Sequence, residues 1–321
     1  MPENTSLSQQ GLPPSLNHII GQKLVVEQAK IALDSAFQDG TAFPSALLCG
    51  APGLGKSLLC RVISQEFQTQ YIEALGQSLS LPSELNALLL SAGDKAILFI
   101  DEADEMPEFL QTVLYKATEE KRIYLESSQP GRPPQVIPIS DFTLLLASNH
   151  EHSIVQPLRD RLRMVLRFEF YSSTELLEIV RQRCRRLNWG IEDAVLPLIS
   201  QRGRGTPRIA LRLLEGCRRV CRSLGETVIM KAHFDKACQL EGIDPIGLDR
   251  NEVQLLRMLQ EAGGPVRLNV LASRLGLPSK TVSEVFEQYL IRQGLLERTA
   301  DGRQITAKGR EHLLTQATVG V

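Results

Sequence analysis

Gly50-Ala51-Pro52-Gly53-Leu54-Gly55-Lys56-Ser57 matches G-x-x-x-x-G-K-[ST], the pattern of a phosphate-binding loop. Ahead of it, Ser45–Cys49 reads as a short buried strand. Behind it, residues 58–67 read as a helix with Leu58, Leu59, Val62, Ile63 and Phe67 along one side. A glycine-rich turn alone can be plain chain geometry, but the full pattern between a strand and a helix predicts a nucleotide site. Glycines let backbone N–H groups close around a polyphosphate at the positive end of the helix. Gly50, Pro52, Gly53, Leu54, Gly55, Lys56, Ser57 and Leu58 are therefore expected to hold ATP. Lys56 would reach the β- and γ-phosphates and the Ser57 hydroxyl would hold Mg²⁺. The fold class that follows is α/β, a parallel sheet with helices on both faces.

Ala96-Ile97-Leu98-Phe99-Ile100 runs into Asp101-Glu102, 45 residues after Lys56. A buried strand ending there would set Asp101 beside Mg²⁺ through water and let Glu102 polarise the attacking water. The plainer reading is a core strand with acidic residues at its exposed end. Ala103-Asp104-Glu105 reads as solvated surface. A third buried strand, Phe142–Ala147, ends at Ser148-Asn149-His150. Asn149 there can hydrogen-bond a γ-phosphate or the lytic water, or merely cap the strand. His150 and His152 have no second ligand cluster, so zinc is not expected.

About ten residues further comes Pro157-Leu158-Arg159-Asp160-Arg161. Such a run is commonly a solvated salt-bridge patch. In ring ATPases, however, an arginine at this place enters the neighbouring subunit's site. Arg161 is taken as that finger, with Arg159 as the alternative. Upstream, Ile19-Ile20-Gly21-Gln22 leads into a helix from Lys23 to Phe37. Lying some 30 residues before the phosphate loop, it resembles the adenine-side segment of AAA+ ATPases, which puts Ile19 and Ile20 at the base.

The 321 residues are 43% hydrophobic and 23% charged with net charge −1, which suggests two or three soluble domains and excludes a generally basic nucleic-acid binder. The longest apolar run, Ala96–Ile100, is too short to span a bilayer, and no signal-peptide core is evident. Six cysteines without a C-x-x-C pair read as reduced thiols of a cytoplasmic protein. Residues 1–11 read as disordered. The large ATPase domain is expected over 12–171, with a β-hairpin near 121–139 whose tip is stiffened by prolines. An all-helical lid follows over 172–244, where Pro207 suits a first helical turn and Arg208 would reach the nucleotide. Helices at Asn251–Leu259, Leu268–Leu275 and Pro278–Ile291, then strands at Gly294–Thr299 and Gln304–Thr306, make 245–315 a winged helix before a tail at 316–321. Lys280 and Arg292 on its third helix are offset by Glu284 and Glu287, so phosphate contact is expected rather than base readout.

Placed together, these parts resemble the RuvB family of AAA+ branch-migration motors over residues 12–313. The stretches that carry the resemblance are Ala51–Ser57, Leu98–Glu102, Arg204–Ala210 and, outside the ATPase core, Tyr289-Leu290-Ile291-Arg292-Gln293-Gly294-Leu295-Leu296-Glu297-Arg298-Thr299. The resemblance implies an AAA+ core, helical lid and winged helix, assembled as a hexameric ring on duplex or four-way-junction DNA. It implies ATP-driven branch migration in recombination and repair, a RuvA-like partner gripped by the hairpin, and Arg298 and Arg303 on the DNA-facing wing. The chain departs from the family at Pro13-Pro14, Ile19, Ala103-Asp104-Glu105, Leu146-Ala147-Ser148-Asn149-His150 and Asp301, as a divergent member would. A protein-remodelling or clamp-loading ATPase is the alternative. A non-hydrolysing scaffold conflicts with an intact Lys56, Asp101, Glu102 and Arg161.

Overall fold

Apolar runs without alternation make strands covered on both faces, and three such runs form the middle of the sheet. The computed structural model describes residues 13–125 and 134–319, with side chains as far as Thr315. In chain order, α1 (Lys23–Asp39) leads to β1 (Ala46–Cys49), the phosphate loop and α2 (Lys56–Phe67). Then come β2 (Tyr71–Leu75), α3 (Pro82–Ser91), β3 (Ile97–Asp101) and α4 (Glu108–Glu120). A hairpin of β4 (Arg122–Leu125) and β5 (Gln135–Pro138) precedes β6 (Thr143–Ser148), α5 (Gln156–Arg161), β7 (Met164–Arg167) and α6 (Ser173–Arg186).

The sheet order is β2-β3-β6-β1-β7, parallel throughout. The edge strands β2 and β7 escape the sequence reading because they are half exposed and carry Glu73 and Arg167. Residues of β3 and β6 pack with Leu85, Leu89, Leu110 and Leu114 of α3 and α4. That packing fixes the strand ends where the polar residues sit. The expected disordered N-terminus, 1–11, and the hairpin tip at 126–133 lie outside the described residues.

The chain forms two compact bodies: one holds the sheet, α6 and Gly205–Arg208, the other Trp189–Arg204 with Ile209–Val321. The second body contains α7 (Val195–Arg202), nearly all of α8 (Pro207–Ser223) and α9 (Lys231–Glu241). Helix α8 buries Leu213, Leu214, Cys217 and Cys221 and leaves Arg212, Arg219 and Arg222 outside the core. The lid segment is not all-helical: β8 (Gly190–Ile191) and β9 (Val228–Ile229) form a short parallel pair. Two-residue strands leave no periodicity to read.

Within the same body the winged helix comprises α10 (Arg250–Ala262), α11 (Leu268–Leu275), α12 (Ser279–Thr281), α13 (Glu287–Arg292), β10 (Leu296–Thr299), β11 (Gly302–Ile305) and α14 (Ala307–Val319). A π turn, Val282–Phe286, joins α12 to α13, so the third helix is bulged rather than regular. Arg298 pairs with Arg303 and Thr299 with Gly302, which shortens the wing turn to Ala300-Asp301. The expected tail from 316 instead continues α14 to Val319.

Arg204 grips the fully buried Glu252 with both terminal nitrogens, donates from Nε to the Gly247 carbonyl at 2.6 Å, and lies over the Tyr289 ring. Burial pushes the Glu252 carboxyl up to about 7, against the opposing pull of Arg204. All six cysteines are buried and none forms a disulfide. No described helix is long and apolar enough to cross a membrane.

Candidate nucleotide site

The phosphate loop leaves the carboxyl end of β1 and enters α2 at Lys56, with Gly55 as its N-cap at φ 103°. Gly53 has φ 80°, and a Cβ there would meet Arg208 Cβ at 2.8 Å and Thr206 Cγ2 at 3.0 Å. Glycine is thus required both by conformation and by the close approach of the segment that carries Arg208. That arginine side chain is exposed, at the first turn of α8.

Lys56 is 7% exposed. Its ammonium donates to the carbonyls of Gly50 at 2.5 Å and Ala51 at 3.1 Å and to Asn149 Oδ1 at 2.9 Å. Burial pulls its pKa below the ordinary lysine value, while Asp101 and Asp104 act in the other direction. Ser57 Oγ donates to Asp101 Oδ2 at 2.8 Å, and Asp101 Oδ1 accepts from the Glu102 backbone N–H at 3.0 Å. The ends of β1, β3 and β6 therefore converge on one charged cluster. Lys56, Ser57, Asp101 and Asn149 are brought together by direct hydrogen bonds, with Glu102 one residue on.

Glu102 sits in the left-handed region at φ 52°, where a non-glycine residue is uncommon. Gly76 presses on it so closely that a Cβ there would lie 2.2 Å from the Glu102 carbonyl oxygen. Ser57 and Asp101 present oxygen donors of the kind Mg²⁺ prefers. Among the described residues there is no group of three or more His, Cys, Asp or Glu able to hold a metal.

One expectation fails beside this cluster. Asp104 is not solvated surface: its side chain is 4% exposed, and its Oδ2 meets His150 Nδ1 at 3.1 Å. Residues that pair across 46 positions give no local signal.

In the segment expected to face the base, Ile19 and Ile20 are half-buried and Leu16 is fully buried. Gln22 exchanges two hydrogen bonds with the backbone of Glu169, at 2.6 and 3.1 Å. Tyr171 was missed by the sequence reading. Its ring packs on Gly21, its hydroxyl donates to the Leu54 carbonyl at 3.0 Å, and its N–H donates to Gly205 O at 2.9 Å. It thereby ties three nucleotide-side segments together, and burial raises its pKa to about 12. Its only sequence mark is its place just before the capping box Ser172–Glu175.

Arg161 ends α5 with its side chain about half exposed, 3.8 Å from Glu119. It lines a groove with Ser45 and Phe142, which precede β1 and β6. That is the opposite end of the sheet from the phosphate loop, so it does not join Lys56 in its own chain. Arg159 is held by Gln156.

The wing arginines both pair with one carboxylate of the winged helix. Glu287 is fully buried, and Arg303 Nε donates to its Oε1 at 2.7 Å while Arg298 Nε donates to its Oε2 at 3.0 Å. Arg303 is 19% exposed and Arg298 51%. A buried carboxylate needs paired charge, and both arginines supply it.

Comparison with known proteins agrees over nearly all of residues 12–314. Residues 12–168 match the model of the Holliday junction DNA helicase RuvB P-loop domain, 171–244 the RuvB AAA lid domain and 245–314 the RuvB C-terminal winged helix domain. A Holliday junction branch migration complex subunit RuvB from Kosmotoga olearia is 35% identical over 94% of this chain and 89% of its own. The corresponding Thermotoga maritima subunit is 36% identical over 94% of this chain and 91% of its own. The solved structure of the T. maritima RuvB Holliday junction branch migration motor superposes with a TM-score of 0.83 at 35% identity, covering 95% of this chain and 99% of that one.

Proposed function

The chain belongs to the RuvB family of AAA+ ATPases, and from that premise we propose that it is an ATP-driven motor acting on duplex DNA at four-way junctions, in recombination and repair. The observation that carries the reading is the convergence of Lys56, Asn149, Ser57 and Asp101 at the ends of three strands, on a chain matched by the family over its core, lid and winged helix.

Lys56 exchanges its carbonyl partners for β- and γ-phosphate oxygens as the loop from Gly50 to Leu58 closes on ATP. Ile19 and Ile20 line the base. Ser57 and Asp101 would hold Mg²⁺, which when bound would neutralise phosphate charge. Glu102 orients a water whose oxygen bonds to the γ-phosphorus as the bond to the bridging oxygen of ADP breaks. Asn149 reports the γ-phosphate. Arg161, at the far end of the sheet from its own loop, completes the site of the next subunit in a hexameric ring. Arg208, held against Gly53, carries the change to the lid. The half-exposed Arg298 meets DNA phosphate, and Arg303 braces it through Glu287. The protein works in the cytoplasm with a RuvA-like junction-binding partner at the 121–139 hairpin.

The second reading, remodelling of a protein, draws on the occupied wing arginines and on Tyr124 and Val136, exposed on the hairpin at 43% and 48%. The test is conversion of a labelled four-way junction to duplex products with ATP and a junction-binding partner. The motor reading expects conversion by the wild type and none by Lys56→Ala. An intact junction despite ATP hydrolysis would favour the second reading.

A further inference from the structure

The mechanism above leaves Asp104 and His150 unused, although both flank its working residues. Asp104 lies two residues after Glu102, in the 3-10 turn Ala103–Glu105 that follows β3. His150 lies one residue after Asn149, at the end of β6, with its N–H donating to Ser148 Oγ at 2.9 Å. The two strands are neighbours in the sheet, yet their register ends at Ile100 and Leu146. Beyond that point, the contact of His150 Nδ1 with Asp104 Oδ2 at 3.1 Å ties the turn after one to the residue after the other.

The carboxylate is 4% exposed, and its second oxygen, Oδ1, is buried without a hydrogen-bond partner. Buried polar atoms are ordinarily paired; among the described residues, His150 is the one hydrogen-bonding anchor of this carboxylate. His150 itself is 46% exposed.

We propose that Asp104 and His150 form a positioning pair that fixes the Glu102 turn against Asn149, setting the distance between the residue that orients water and the residue that reads the γ-phosphate. The inference rests on the ATPase reading of the site and adds two residues to it. Neither touches the reacting atoms. Without His150 the Asp104 carboxylate is a buried charge lacking its partner, which a protein relieves by moving it. Any such movement displaces Glu102, whose left-handed backbone is already pinned on the other side by Gly76. No hydrogen bond joins Lys56 or Ser57 to the pair, and His150→Ala keeps the Asp104 charge that acts on Lys56. The effect therefore falls on turnover rather than on ATP affinity.

The experiment is basal ATP hydrolysis without DNA by the full-length wild type, His150→Ala, Asp104→Asn and His150→Arg, with ATP affinity and thermal midpoint measured for each. His150→Ala removes an exposed partner and opens no core cavity. We expect His150→Ala and Asp104→Asn to lower kcat ~10- to 100-fold, the scale of a small misplacement, with KM and ATP affinity changed less than about twofold in His150→Ala. His150→Arg, which keeps a hydrogen-bond donor within reach of Asp104, restores most of the rate. An unchanged kcat in His150→Ala, a parallel loss of ATP affinity, or a His150→Arg no better than His150→Ala would each overturn the pair. Absence of Lys56-dependent hydrolysis in the wild type would remove the ATPase reading as well. Failure of DNA to stimulate that hydrolysis would strike only the motor reading.

Discussion

Lys56 and Glu287 are both buried charges, each held by three or more hydrogen bonds or ion-pair contacts, and they mean opposite things. Lys56 is held by two carbonyls of its own loop and by the Asn149 amide. These are neutral acceptors, which a phosphate oxygen can replace with gain. Glu287 is held by two guanidinium groups, and a phosphate that took them would leave a bare carboxylate in the core of the winged helix. A charge held by neutral groups is available to a ligand; a charge neutralised by its opposite is part of the fold.

The largest effect expected is at a half-exposed charge only loosely paired, with Glu119 at 3.8 Å. Arg161→Ala should lower hydrolysis in the assembled protein by ~10³–10⁵-fold, and a loss below tenfold would move the finger role to Arg159. Next, Glu287→Ala leaves two cations over the wing and should destabilise the winged helix by about 3–5 kcal/mol, seen as a lowered thermal midpoint. Lys56→Ala should cost ~10²–10³-fold in turnover, in line with the loss of one strong donor to developing charge, and leave the winged helix unchanged. Arg303→Ala should cost about 1.5–3 kcal/mol of stability, the scale of a hydrogen bond to a charged group, with no change in the salt dependence of DNA binding. Smallest is Arg298→Ala, half exposed, at under about 1 kcal/mol but with the salt slope reduced by about one. A reversed order for the two wing arginines would break the contrast.

What could be read in the chain follows the range of the interaction. The phosphate loop is eight contiguous residues whose chemistry is carried by the motif itself, and Asp101 and Asn149 end apolar runs that announce strands. The structure brings all of them together. Glu287 was legible only as an acid on a helix; its two partners lie 11 and 16 positions away. Asp104 and His150 are 46 apart and Tyr171 and Leu54 are 117 apart, and no periodicity connects them. The edge strands, the two-residue pair in the lid segment and the π turn under the wing are set by packing rather than by local pattern.

The central claim, that ATP turnover here serves movement on DNA, is tested most directly by one rate. That rate is steady-state ATP hydrolysis with and without four-way-junction DNA, across a salt series. The account predicts hydrolysis stimulated by DNA, with the stimulation fading as salt screens phosphate contacts. Robust hydrolysis indifferent to junction and duplex DNA alike would contradict it.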